Sequence, residues 1–325
     1  MTTTAQRPVR EVHEEGFTSY DGAFRNVIGP VPVLAHVVDV DAHEGPVYAP
    51  DQDALYFTSL PDVSGSLIKR LDLDGTRFPL ERERLSVVAA TTVRPNGMTA
   101  TTDGDLVVCE QGDRSAPARI SRVQPLTGAT TTVVDSWHGL PLNSPNDVVV
   151  RGDGTVWFTD PSYGFLQGFR PQPEVGDFVY RYDPGTGSLD VVADSFVKPN
   201  GLAFSPDGSV LYVTDSGANQ EPGSFHVGLP HHVLSFDVTA GRLTGQRLFA
   251  VTTPGIPDGV KVDEAGRVYV SSPAGVLVHS PEGRLLGRIN CAGAVNFAFG
   301  GPDRNVLYIT TDTAVWAAVL DTKGT

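Results

Sequence analysis

Along this chain, apolar runs of four or five residues come in pairs. Each pair is split by an Asp, Gly or Pro turn and preceded by one polar residue. The stretch "KPNGLAFSPDGSVLYVTDSG" from Lys198 shows the pattern in full. It recurs in "EGPVYAPDQDALYFTS" from Glu44, "NGMTATTDGDLVVCE" from Asn96 and "NDVVVRGDGTVWFTD" from Asn146. Two more copies follow, "DGVKVDEAGRVYVSS" from Asp258 and "NFAFGGPDRNVLYITTD" from Asn296. An apolar or aromatic residue (Tyr56, Val107, Trp157, Tyr212, Tyr269, Tyr308) stands 11 or 12 positions beyond each polar marker. Short apolar runs around such turns predict β-hairpins, six of them.

The markers lie 52, 50, 54, 58 and 38 residues apart, a period that suits four-stranded propeller blades. Third strands are visible in "LIKRLDLDG", "ARISRVQPLTG", "FVYRYDPGTG", "HHVLSFDVTAG", "GVLVHSPEG" and "AVWAAVLDTKG". Fourth strands are visible in "LSVVAATTV", "TTTVVDSW", "LDVVADSF" and "QRLFAVTT". The last unit reaches the end of the sequence with only three. The segment "VPVLAHVVDV", residues 31–40, supplies the missing one, and its pairing with the last blade would close the ring and remove two sheet edges. The expectation is an all-β, six-bladed β-propeller over residues 31–325, preceded by a frayed polar extension over residues 1–30.

In such a fold the innermost strand of each blade runs beside the central axis. A marker just before that strand sits at one mouth of the central channel. Glu44, Asn96, Asn146, Asn200, Asp258 and Asn296 then converge as a ring in which every member offers a side-chain oxygen. Pro-Asn-Gly and Pro-Asp-Gly are turn formers, which accounts for any one of them alone. Glutamate is a poor turn residue, however, and Glu44 occupies the same register. Two carboxylates at one mouth repel each other unless a cation neutralises them. An all-oxygen donor set suits Ca²⁺, with Mg²⁺ and Mn²⁺ next, and suits Zn²⁺ poorly.

The second strand of each hairpin returns to the same rim and brings Ser59, Glu110, Asp160, Asp215, Ser272 and Asp312 there. Asp160 and Asp215 can face a pocket or cap their own turns. Long connections follow Asp160 and Asp215, with Tyr163, Phe165, Phe169, His226, His231 and His232 either lining a substrate wall or packing the loops together. His43, beside Glu44, is a candidate proton carrier or a packing histidine.

Composition narrows the partners. The chain has 24 Lys+Arg against 38 Asp+Glu, a formal charge of -14 that disfavours nucleic acid and acidic membranes. Cys109 and Cys291 stand in separate apolar segments and suggest neither a disulfide framework nor a thiolate metal site. The segment "MTTTAQRPVREVHEEG" lacks an apolar signal-like run, and no stretch of about 18 apolar residues occurs. A soluble, cytoplasmic protein acting on a small molecule is expected.

In this order, "HEGPVYAPDQDALYFTS", "LNSPNDVVVRGDGTVWFTDPSYG", "KPNGLAFSPDGSVLYVTDSG" and "IPDGVKVDEAGRVYVSS" resemble the senescence marker protein, gluconolactonase and luciferin-regenerating enzyme family. "HEGPVY" and the long lead are similar to its microbial lactonohydrolase branch. The resemblance spans roughly residues 30–320 and implies that Glu44, Asn146, Asn200 and Asp258 hold a divalent metal, usually Ca²⁺. It also makes Asp258 the family's candidate for the general base. Asn96 and Asn296 then remain as pocket residues. Substrate contacts are expected from Asn96, Glu110, Asp160, Tyr163, Asp215 and Asn296. Gln111 and Ser144 depart from a His and an Arg found in related sugar lactonases, which bears on sugar preference.

The expected activity is metal-dependent opening of a lactone ring, with an aldonolactone or related small lactone as substrate. The cation would polarise the carbonyl and stabilise the oxyanion. No G-x-S-x-G elbow, Cys/His signature, Walker pattern or G-x-G-x-x-G occurs. Two competing readings use the same scaffold: an organophosphate hydrolase or specialised biosynthetic enzyme, and a binding propeller with structural calcium.

Overall fold

A computed structural model describes residues 12–325 except 63, 64, 76 and 222. Six antiparallel sheets of at least four strands are arranged as blades. Blade one comprises Val47–Ala49, Ala54–Thr58, Ile68–Asp72 and Leu85–Val87. Blade two comprises Pro95–Ala100, Leu106–Glu110, Arg119–Val123 and Thr130–Val134. Blade three comprises Val148–Val150, Val156–Asp160, Phe178–Asp183 and Ser188–Ala193. Blade four comprises Pro199–Phe204, Val210–Asp215, His232–Thr239 and Arg242–Val251.

Blade six closes the ring as the sequence predicts. Its strands Asn296–Gly300, Val306–Thr310 and Ala314–Val319 are joined by Val33–Asp39 from near the start of the chain, with Val315 opposite Val38 and Ala318 opposite Leu34. The closing strand leaves neither end of the ring with an unpaired blade.

Of the extension expected to be frayed, residues 1–11 lie outside the described residues, and residues 12–30 are ordered against the propeller. Blade five, built of Val260–Val262, Val268–Ser272, Gly275–His279 and Leu285–Ile289, is extended outward by Phe17–Ser19 and Val12–Glu14. Phe17, Phe24, Val27 and Ile28 are buried in the same cluster as Tyr269, Leu286 and Phe297. Few and separated apolar residues hid this in the sequence. They carry no period, yet each lands on a blade face that would otherwise be wet.

The second strands are buried throughout, and large side chains from neighbouring blades interdigitate. Leu55 and Phe57 pack with Val306 and Tyr308 between blades one and six. Trp157 packs with Leu202 and Leu211 between blades three and four. Burying residues of this size stabilises by about 1.5–3 kcal/mol each, so the wedges between blades hold the ring and leave the axis free for polar groups.

Candidate active site

Two repeated devices set the geometry of the marker ring. The first is a hydroxyl near the end of five of the six second strands, blade two having Cys109 there. Thr159 Oγ1 donates to the Asn200 carbonyl at 2.7 Å, Thr214 Oγ1 to the Asp258 carbonyl at 2.8 Å, and Thr310 Oγ1 to the His43 carbonyl at 2.6 Å. Blades three to six therefore anchor the marker loop of the next blade, Ser271 doing so through the Val295 carbonyl, whereas Thr58 bonds the Glu44 carbonyl of its own blade. The second device is the glycine that follows four of the markers. A Cβ on Gly201 would lie 2.4 Å from the Asp258 carbonyl oxygen, and one on Gly97 would lie 2.4 Å from that of Asn146. These glycines serve close approach between adjacent marker loops as well as the turn itself.

Blade three breaks the glycine register with Asp147, which is buried. Its Oδ1 accepts the Val148 amide at 2.9 Å, while Oδ2 has no hydrogen-bond partner and lies 3.9 Å from Lys261 Nζ. The channel thus contains a third carboxyl beside Glu44 and Asp258.

At the marker mouth lies a cavity of roughly 150 Å³. Its wall brings together Glu44, Asn96, Asn146, Asn200, Asp258 and His43, with Tyr163 above them. Glu44 Oε2 accepts from Asn296 Nδ2 at 2.7 Å and from the Gly45 amide at 3.1 Å. Asn200 Nδ2 donates to Ser216 Oγ at 3.2 Å, so its oxygen is turned elsewhere. Asn96 Nδ2 donates to the Asn146 carbonyl at 3.0 Å. The side-chain Oδ1 of Asn146 is buried and has no partner.

Burial, reinforced by the charges of Glu44 and Asp147, pushes the Asp258 carboxyl well above the usual carboxylate range. Its carboxyl is hydrogen-bonded to that of Glu44, and the Asn200 amide opposes the rise. Burial likewise raises Glu44, with the charge of Asp147 adding to it and His43, Asn296 and Gly45 opposing. His43 lines the cavity and its Nδ1 lies 2.6 Å from Asp312 Oδ1. Burial lowers its pKa, but the hydrogen bond to Asp312 and the charges of Glu44 and Asp312 outweigh that and leave it raised.

A divalent cation fits this set on three counts. Two carboxyls are crowded together without a neutralising arginine or lysine on the cavity wall. One buried amide oxygen, that of Asn146, has no partner. All donors are oxygens, the set a hard cation prefers, and the amides of Asn146 and Asn200 must complete it, since among the described residues no three His, Cys, Asp or Glu side chains gather into a metal cluster.

Other residues expected at the rim have different duties. Glu110 is wholly buried, with Oε1 accepting from Arg119 Nε at 2.9 Å and Oε2 from the Val93 amide at 2.7 Å. Asp160 accepts the Asn143 and Ser144 amides, both at 2.8 Å, and burial pushes its pKa up to about 7 against those donors. Asp215 accepts the Val197, Lys198 and Gly217 amides. All three carboxyls brace the backbone that enters their own blade, and none is on the cavity wall. Asn296, too, faces Glu44 and not the cavity.

The long loop after Asp160 is pinned by buried Arg170, which donates to the carbonyls of Asp113, Ala116, Leu142 and Asn143. That loop delivers Tyr163 to the cavity, on the one-turn helix Tyr163–Leu166. Phe165 is exposed, and Phe169 stacks under the Arg94 guanidinium at 4.5 Å. His226 pairs with Glu221, His231 with the Leu229 carbonyl, and neither they nor His232 line the cavity. Gln111, singled out in the sequence as a replacement for a family His, is at the cavity, while Gln167, Asn219, Pro61 and Ile256 were not assigned a site role from sequence.

With the geometry in hand, comparison with known proteins places the chain among relatives. The model for the SMP-30/Gluconolactonase/LRE-like region matches residues 42–313. A gluconolactonase of Zymomonas mobilis is 30% identical, the match covering 82% of this chain and 74% of that one. The lactonohydrolase oryL of Aspergillus oryzae is 28% identical over 88% of this chain and 70% of its own. A solved gluconolactonase structure from Xanthomonas campestris superposes with a TM-score of 0.78 at 30% identity, covering 97% of this chain and 99% of that one.

Proposed function

Because this chain belongs to the SMP-30/gluconolactonase/LRE-like family, we propose that it hydrolyses a small, neutral, hydroxyl-bearing lactone and requires a divalent cation, best Ca²⁺, to do so. The observation that carries the reading is the crowded pair of buried Glu44 and half-buried Asp258 beside the unpartnered Asn146 oxygen. Glu44, Asn146, Asn200 and Asp258 would hold the ion. When bound it supplies Lewis-acid polarisation of the lactone carbonyl and charge for the oxyanion.

The remaining chemistry belongs to the chain. The Asp312 carboxylate fixes one nitrogen of His43 and raises its basicity, which leaves the other nitrogen to carry a proton between water and the ring oxygen that departs. Asp258 is the second candidate base, but a carboxylate that holds a cation is a weaker base than one that does not. Tyr163 stays a neutral phenol because burial pushes its pKa up, beside Asp258, and it walls the cavity above Asn200.

The wall also supports the neutral substrate. Asn96, Gln111, Gln167 and Asn219 offer amides for hydroxyl groups, while no lysine or arginine stands there to attract a phosphate, sulfonate or carboxylate on the lactone.

The test is lactone turnover by indicator acidification, on protein stripped with chelator and resupplied with Ca²⁺, Mg²⁺, Mn²⁺ or Zn²⁺. Aldonolactones should be opened once metal returns, and their 6-phosphorylated counterparts should be poor substrates. Full turnover after stripping would dismiss the metal requirement. Failure with every lactone, despite metal binding, would dismiss the activity.

A further inference from the structure

Glu44 is held by a relay that begins deeper in the channel. Lys261 stands on the innermost strand of blade five between Val260 and Val262, which are both buried between blades. Strand alternation therefore turns Lys261 toward the axis. Its Nζ donates to the Val260 carbonyl at 3.1 Å, reaches Asn296 Oδ1 at 3.5 Å and lies 3.9 Å from Asp147 Oδ2. Among the described residues it is the one lysine or arginine paired with a carboxylate of the channel.

Asn296 Oδ1 also accepts the Phe297 amide at 2.8 Å. Two donors thus converge on that oxygen. Turning the amide over would point its NH₂ at an ammonium and at a backbone N–H, setting donor against donor and leaving the Phe297 amide without its acceptor. The orientation is fixed by this network. Nδ2 is left aimed at Glu44 Oε2, which it meets at 2.7 Å.

We propose that Asn296, oriented by Lys261, is a positioning residue for Glu44: it ties down Oε2 and so turns Oε1 toward the cation. The inference rests on the reading that Glu44 binds metal. Hydrogen-bonded partners behind a metal ligand fix its rotation in this way, and their loss typically weakens metal affinity about 10–100-fold. Asn296 is 1% exposed and does not line the cavity, so it has no route to the substrate.

The experiment is a calorimetric CaCl₂ titration of the full chain, beside lactone kinetics at saturating calcium. Asn296→Leu should weaken calcium binding by about 10–100-fold, and Lys261→Met should weaken it several-fold. The double variant should bind no worse than Asn296→Leu alone, because the lysine acts through the asparagine. Lys261→Arg should restore affinity, and no variant should raise KM once calcium saturates.

A lysine that merely repelled the cation would give the opposite sign, so unchanged or tighter binding by Lys261→Met overturns the relay. A raised KM with unchanged calcium affinity in Asn296→Leu would make Asn296 a substrate contact and also overturn it. If Asn296→Leu does not fold, Lys261→Met, whose side chain is 28% exposed, decides the matter alone. Absence of calcium binding by the unaltered protein would overturn both this relay and the metal reading. Calcium binding that is normal in every variant overturns the relay only.

Discussion

The two mouths of the central channel are built from the same strands and differ in what their polar atoms do. The mouth opposite the markers opens into the larger space, roughly 730 Å³, lined by Tyr48, Thr99, Val149, Ala203 and Ala298 among others. Apart from Lys261, whose ammonium reaches into the channel, its charged groups are spent on one another and on turns. Arg151 pairs with Asp153 at 3.0 Å, and Ser205 Oγ donates to Asp207 Oδ1 at 2.6 Å. The marker mouth holds only about 150 Å³, yet it crowds buried Glu44 against half-buried Asp258 and leaves the Asn146 oxygen unpartnered. Unsatisfied buried polar atoms cost free energy that folding does not recover, so they point to a ligand more reliably than volume does.

The largest expected effect breaks this contrast at its source. Asp258→Asn keeps the shape of the marker mouth and removes one of the two crowded carboxyls. Metal-dependent lactone turnover should fall by roughly 10²–10³-fold, the scale of losing one stabilising group at a developing oxyanion. The metal-free variant should melt no lower than wild type in calorimetry, and its rise in Tm on adding calcium should vanish. A retained calcium shift would return Asp258 to the ordinary structural carboxylates.

Acid separates the mouth from the blade walls. His279, buried in blade five with Nδ1 unpartnered, is pushed down to about 4 by burial. The unfolded chain, with the ordinary value near 6.5, binds that proton first. Stability from a neutral His279 is therefore full above about pH 6.5 and is lost as pH falls toward 4, by about 3 kcal/mol. Glu44 and Asp258 are raised instead, so in metal-free protein their contribution has the opposite sign and grows as pH falls. Urea unfolding at pH 7 and pH 4.5, in chelator, isolates the His279 share as the difference between wild type and His279→Gln, because the raised carboxyls of Asp160, Glu44, Asp147 and Asp258 act with the opposite sign. The change on acidification should be more favourable in His279→Gln than in wild type. An identical change in the two proteins would show that His279 carries no acid sensitivity.

Asp160 sharpens the contrast on one rim. It is buried near the marker mouth, but both oxygens are engaged by the Asn143 and Ser144 amides. Asp160→Ala strands those donors and should cost about 2 kcal/mol in denaturant unfolding. Calcium affinity should change little. A large loss of affinity with intact stability would bring Asp160 back to the site.

How much of this was legible follows from what the repeat encodes. A marker, a hairpin and a period of about fifty residues fix blade number, and closure by residues 33–39 follows from the missing strand of the last unit. The same register brings Glu44, Asn146, Asn200 and Asp258 to one mouth, because it specifies a position on the backbone. It does not specify where a side chain points. Glu110, Asp160 and Asp215 share a register at strand ends, and each turns inward to the backbone amides of its own blade. Gln111, Gln167 and Asn219 reach the cavity from loops with no common register, so no periodic argument could find them. Asp147 did leave a signal: it replaces the glycine that follows Asn96, Asn200 and Asp258.

The smallest expected effect tests whether the larger mouth is idle. Arg151 lies over the Phe204 ring at 5.7 Å, donates to the Gly208 carbonyl at 3.3 Å and pairs with Asp153. Its guanidinium is partly exposed, so water competes for each contact, and Arg151→Ala should cost only about 0.5–1 kcal/mol. Lactone kcat/KM and calcium affinity should stay within about twofold of wild type, since none of these three contacts touches the relay to Glu44. A tenfold fall in kcat/KM at unchanged stability would mean that the wide mouth communicates with the narrow one. Lys261, which lines the wide cavity while its ammonium reaches Asn296, would then be the side chain through which it does so.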